Sequence, residues 1–207
     1  MAVQQIISPI DGSVVAEREL ASDSVVDAVL AAAQAAQTVW RATAIAERIR
    51  LCEAMIAHLE TSVADIATEI SWQMGRPVRY TPNEILRGAQ ERARYMMSIA
   101  AEELADVSVP PVEGFTKYIE RTPVGTVLIV APWNYPYLTA INSLIPALLA
   151  GNTVIMKHAS QTLLCAERFS DACTAAGFPA GVFQHVHASH SAVERMIQDP
   201  RINFVVI

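Results

Sequence analysis

Two positions in this 207-residue chain carry side chains of a type and setting that could act on a ligand. One is Asn134 in Pro132-Trp133-Asn134-Tyr135-Pro136, and the other is Lys157 in Lys157-His158-Ala159-Ser160. Each follows an apolar run rich in β-branched residues, so Asn134 is expected just past the carboxyl end of one buried parallel strand and Lys157 as the last residue of the next, at the edge where open sheets bind ligands. The Asn134 amide can donate to an oxyanion, or it can cap a turn between two prolines. Lys157 is the first charged residue after Arg121. A cation there suits ribose hydroxyls or a phosphate, and a solvated strand end is the alternative. Cys165 and Cys173 fall on a predicted helix beside Phe169 and Ala172. A nucleophilic thiol needs an exposed, electropositive setting, so both are expected in the core. His185, His187 and His190 form a compact group, but no carboxylate or cysteine is expected nearby, so they are read as a solvated strand end and no metal site is predicted.

The run Thr122-Pro123-Val124-Gly125-Thr126-Val127-Leu128-Ile129-Val130-Ala131-Pro132-Trp133-Asn134-Tyr135-Pro136 is followed by Pro146-Ala147-Leu148-Leu149-Ala150-Gly151-Asn152-Thr153-Val154-Ile155-Met156-Lys157. Together they resemble the NAD(P)-dependent aldehyde dehydrogenase superfamily, and the resemblance extends over essentially the whole chain. It implies oxidation of an aldehyde, including semialdehydes such as succinate semialdehyde, to the carboxylic acid. In that family the Asn matching Asn134 stabilises the oxyanion formed when a cysteine thiolate attacks the aldehyde, and the Lys matching Lys157 contacts the adenosine ribose. The implied cofactor-binding set is Ala131, Pro132, Trp133, Asn134, Lys157, His158, Ala159 and Ser160, with Asn134 also catalytic.

Where NAD-preferring members often carry Glu, this chain has Ser160. A carboxylate would bind the ribose 2′-hydroxyl and repel a 2′-phosphate, whereas Ser leaves room for the phosphate, so NADP is expected to be accepted at least as well as NAD. His158 replaces the usual proline, as in a branch with semialdehyde-oxidising members, and if protonated it would add attraction for the phosphate. After the third strand, His187-Ala188-Ser189-His190 stands where the family is usually Gly-rich. The family's nucleophilic Cys and its general-base Glu lie further along than Ile207, so the chain alone is expected to be inactive. A non-catalytic nucleotide-binding or regulatory module is the alternative.

The elements that must position these residues read as an α/β fold with a parallel Rossmann-like sheet. Strands are expected over 125–131, 153–157, 182–187 and 202–207, with helices over 138–150, 162–176 and 191–198 between them. The last strand runs into the C-terminus, which suggests an incomplete domain. Ahead of them, Asp11-Gly12 predicts a hairpin, and helices are expected over 22–40, 44–58, 62–74 and 81–104, the last with Glu84, Arg87, Glu91 and Arg94 on its polar side. The residues divide into an N-terminal helical part (1–106), an extended arm (107–122) like the family's oligomerisation hairpin, and the core (123–207).

Net charge is −6 with cations scattered along the chain, which argues against nucleic acid and anionic membrane as partners and for a small molecule, here an aldehyde. Three cysteines in apolar helical contexts fit a reduced, cytoplasmic setting. The hydrophobic fraction of 52% and mean hydropathy of +0.29 are high and predict apolar surface reserved for another segment or subunit, and the likeness of the arm to the family's oligomerisation hairpin implies a homo-oligomer, a dimer or tetramer, for a full-length protein. The uncharged tract between Arg121 and Lys157 is interrupted by Pro and Asn, and reads as a buried strand and helix instead of a membrane span.

Overall fold

The computed structural model describes residues 2–207. Strands β1 (Val3–Ile7) and β2 (Val14–Glu19) pair antiparallel around Gly12, which takes φ 76°, and the Asp11 carboxylate accepts from the Ser13 amide at 3.0 Å. This is the hairpin that Asp-Gly predicts. Ser22 caps helix α1 (Asp23–Trp40) by accepting from the Val25 amide. Helices α2 (Ile45–Thr61) and α3 (Val63–Met74) follow, and Gly75 stops α3 in the left-handed conformation at φ 77°.

The expected single helix over 81–104 is broken into three pieces. A turn of α4 (Thr81–Asn83) passes through a π-helical stretch, Glu84–Ala89, into α5 (Gln90–Glu103). A π turn adds a residue per turn and rotates everything beyond it. Glu84, expected on the polar side, is instead buried, with its side chain 1% exposed.

Short strands β3 (Val107–Ser108) and β4 (Tyr118–Ile119) pair antiparallel as an exposed arm. The core then alternates β5 (Thr126–Ala131), α6 (Pro136–Leu149), β6 (Thr153–His158), a 3-10 turn (Ser160–Thr162), α7 (Leu164–Ala176), β7 (Phe183–His185), α8 (His190–Gln198) and β8 (Phe204–Val206). The four strands are parallel in the order β7-β6-β5-β8. Helix α6 runs through Pro146, as the helix expected over 138–150 does.

Alternate residues of the central strands face opposite layers, as the pleat requires. Val127, Ile129, Val154 and Met156 pack with α2, α5, α6 and α7, whereas Leu128 and Ile155 pack with α1 and α8. Helix α1 therefore lies directly on the sheet, while α2 and α5 pack over α6 and α7 and share their core. Gly125, at φ 130°, is required because a Cβ there would meet the Asn203 side chain at 2.1 Å. Phe115, Tyr118, Ile119 and Phe204 remain exposed, in keeping with the high apolar content.

The Glu84 carboxylate accepts from the amides of Tyr137 (2.7 Å) and Leu138 (3.0 Å) and pairs with Arg76. It thus joins the start of α6 to the chain after α3. Removing one partner of a buried pair strands the other, so Glu84→Ala should cost about 3–5 kcal/mol in urea unfolding. A loss under about 1 kcal/mol would mean that water replaces the carboxylate at no penalty.

Candidate functional site

Strands β5 and β6 pair in register, with Val130 opposite Lys157 and Ala131 opposite His158. Beyond them the Ala159 amide donates to the Ala131 carbonyl at 2.9 Å. The two segments that leave the sheet, Ala131 to Asn134 and Lys157 to Ser160, are held side by side at its carboxyl edge. Residues separated by more than twenty positions in sequence are thereby brought together.

Trp133, Asn134 and Tyr135 are exposed. The Asn134 Oδ1 accepts from the Tyr135 amide at 3.1 Å, so the side chain does shape the turn, and its Nδ2 donors stay uncommitted among the described residues. Arg76 donates to the Asn134 carbonyl, and its guanidinium lies 4.7 Å from the Tyr135 ring centroid. The pair of buried Glu84 with half-buried Arg76 thus ties both the start of α6 and the loop that carries Asn134. Sequence reading missed both residues, because a Gly-Arg-Pro stop signal and a polar helix face explained them locally.

Lys157 is 6% exposed and makes no ion pair among the described residues. Burial lowers its pKa. The solvated-strand-end alternative therefore fails for Lys157. Ser160, half-buried, opens the 3-10 turn, and the Gln161 side chain donates to the carbonyls of Ile7 and Gln73. That anchors the turn to β1 and α3.

His158 departs from its expected role as a potential cation. It is 2% exposed, stacks on Phe169 with centroids 6.1 Å apart, and has neither ring nitrogen bonded among the described residues. Burial drives its pKa down to about 3, with Lys157, His187 and His185 adding repulsion. The ring is neutral at ordinary pH and offers a phosphate no charge.

The histidine group also differs from expectation. His190 is exposed on α8, but the His187 Nε2 lies 2.9 Å from the Glu167 Oε1, and His185 lies against His187 with centroids 5.2 Å apart. A carboxylate is present after all, delivered by α7. Arg18 holds the same carboxylate through contacts of 2.6 and 2.9 Å. Burial alone would raise the Glu167 pKa, and the bonds from His187 and Arg18 outweigh it, leaving about 2.

Cys52, Cys165 and Cys173 are all buried, as the core reading expects. Burial pushes Cys52 up to about 12 and the other two upward as well. No described helix is long and apolar enough to cross a membrane.

The model of the aldehyde dehydrogenase family matches residues 2–207. The chain belongs to that family. It is 36% identical over 199 residues to a succinate-semialdehyde dehydrogenase [NADP(+)] of Mycobacterium avium (strain 104), covering 95% of this chain and 42% of that relative. Among solved structures it superposes on an NADP-dependent glyceraldehyde-3-phosphate dehydrogenase of Bacillus halodurans C-125 complexed with NADP, at TM-score 0.91 and 27% identity. That match covers 100% of this chain and 44% of the neighbour. A succinic semialdehyde dehydrogenase of Streptococcus pyogenes in complex with NADP+ gives TM-score 0.89 and 25% identity, covering 98% of this chain and 44% of the other. The chain spans less than half the length of the family members that it matches.

Two outcomes test the burial of these groups. Ellman's reagent should find the three thiols silent in the folded chain and reactive on unfolding; a rapidly titrating thiol would show an open site. For His158, the unfolded chain takes a proton near pH 6.5 and the folded chain only near about 3. Between those values the unfolded state binds more protons, so stability rises with pH by up to about 1.4 kcal/mol per unit, and His185, also lowered by burial, adds the same sign. His158→Asn should flatten the profile below pH 6.5; an unchanged slope would place the effect elsewhere.

Proposed function

We propose that the chain is the cofactor-binding portion of an enzyme that oxidises an aldehyde of the semialdehyde class, with NADP accepted at least as well as NAD. The observation that carries this reading is the pairing of the two strand ends. It puts the strand end that leads to Asn134 next to the one that carries Lys157, which is buried and makes no ion pair among the described residues, with a hydroxyl and no carboxylate at position 160. The similarity to NADP-dependent relatives supports it.

The residues fit a dinucleotide in a specific way. In many nucleotide folds the first crossover helix turns its N-terminus to the pyrophosphate. Here the Tyr137 and Leu138 amides are already taken by Glu84, whose charge would also repel a phosphate. Binding therefore falls to the strand ends. Lys157 serves the adenosine ribose and its phosphate, and Ser160 donates to that phosphate. The Asn134 Nδ2 donates to the developing oxyanion at the reacting end. When bound, the cofactor supplies the hydride acceptor. Full-length relatives would add the thiol that attacks the aldehyde, because Cys52, Cys165 and Cys173 are all sealed in the core. We read the β3–β4 arm, with Phe115, Tyr118 and Ile119 exposed, as the surface through which copies associate.

Calorimetry on the purified chain tests cofactor choice. Two unit charges about 4 Å apart interact by about 4 kcal/mol at an effective dielectric of about 20, reduced by solvent to about 1–3 kcal/mol. Ser160→Glu should therefore weaken NADP by about ten- to a hundredfold and leave NAD little changed. Lys157→Ala should weaken NADP more than NAD. A strong NAD preference untouched by Ser160→Glu would place position 160 away from the ribose. The same chain should form no NADPH from succinate semialdehyde, and turnover would overturn the assignment of its thiols to the core.

A further inference from the structure

Helix α7 and the end of β7 build a second polar cluster at the same sheet edge, beside the strand ends assigned above, with His185 opposite Met156 in the β6–β7 pairing. One ligand atom from each of Glu167, His185 and His187 lies within 4.8 Å of the other two, and all three side chains are half-buried. Two imidazoles and one carboxylate make a donor set suited to zinc and its neighbours among the divalent transition metals. We propose that Glu167, His185 and His187 form a binding site for a divalent transition-metal ion of the zinc class.

The geometry needs only local adjustment. Zinc takes such ligands at about 2.1 Å, which sets them about 3.4 Å apart in a tetrahedral site. The Glu167–His187 contact of 2.9 Å opens to admit the ion, and His185, adjacent to His187, turns toward it. Solvent supplies the remaining position. Arg18 is the competing cation. It engages both Glu167 oxygens, but a carboxylate has lone pairs for more than two partners, so the guanidinium can remain on the outer side at some electrostatic cost to the metal. Arg18 in β2 thus weakens the site without closing it. Because β7 is an edge strand of the described sheet, the ion would staple that edge to α7.

This proposal does not depend on the cofactor reading. Its test is titration of the tag-free chain with Co2+ and Zn2+ alone, read by calorimetry and by the d–d absorption of Co2+. One equivalent should bind in the micromolar range with the strong absorption of a tetrahedral site. The His185→Asn/His187→Asn double variant and Glu167→Gln should each lose at least about tenfold in affinity. Arg18→Gln should bind about tenfold more tightly, because the repelling charge is gone. A second readout needs no variant: Zn2+ should protect His185 and His187 from diethyl pyrocarbonate while exposed His190 stays reactive. No stoichiometric binding at millimolar Zn2+, or binding that the double variant retains with no protection of His185 and His187, would overturn the proposal.

Discussion

The carboxylate of Glu84 is the interaction on which the rest of the candidate site depends. It is almost wholly enclosed, and it meets one cation and two helix N-terminal amides at once. A carboxylate in that position is tolerated because both of its oxygens are engaged, one by the two amides and the other by Arg76. Arg76 then passes the constraint on to the Asn134 carbonyl and the Tyr135 ring. The loop that presents Asn134 is thus tied to the chain after α3 and to the π-helical stretch as well as to its own strand. A π turn is the local distortion that brings Glu84 inward, and such distortions recur where a helix serves a site.

Under the proposed reading, the occupied helix terminus also shapes how a nucleotide would bind. A helix N-terminus attracts anions through unpaired amides and the aligned peptide dipoles. With Glu84 already there, α6 offers a phosphate neither. The attractive features that remain are Lys157, buried without an ion-pair partner among the described residues, and the donors of Asn134 and Ser160. The in-register β5–β6 pairing and the Ala159 to Ala131 hydrogen bond hold together the two strand ends from which those groups follow.

The fold was legible where local pattern and burial agree. Uncharged β-branched runs bounded by helical spacing gave the order of strands and helices, because a parallel strand covered on both faces has to be apolar throughout. Asp11-Gly12 gave its hairpin and Gly75 its helix stop for equally local reasons. Glu84 was not legible: its spacing to Arg87 and Glu91 fits an exposed helix face, and only the π turn and the arrival of α6 reverse that. Glu167 was hidden in the same way, because nothing in the helix that carries it indicates that β7 brings two histidines to it. His158 looked like a cation beside a lysine, and tertiary burial makes it neutral. Where sequence reading failed, a charged or titratable side chain was moved by contacts far away along the chain.

Amide chemical-shift mapping of the isotope-labelled chain with NADP tests the central claim most directly. The account predicts large shifts at Ala131, Trp133, Asn134 and Lys157 to Ser160, with Tyr137 and Leu138 little changed because Glu84 keeps their amides. Shifts concentrated at Tyr137 and Leu138, with Lys157 to Ser160 unmoved, would show that the helix terminus binds the phosphates and would contradict it.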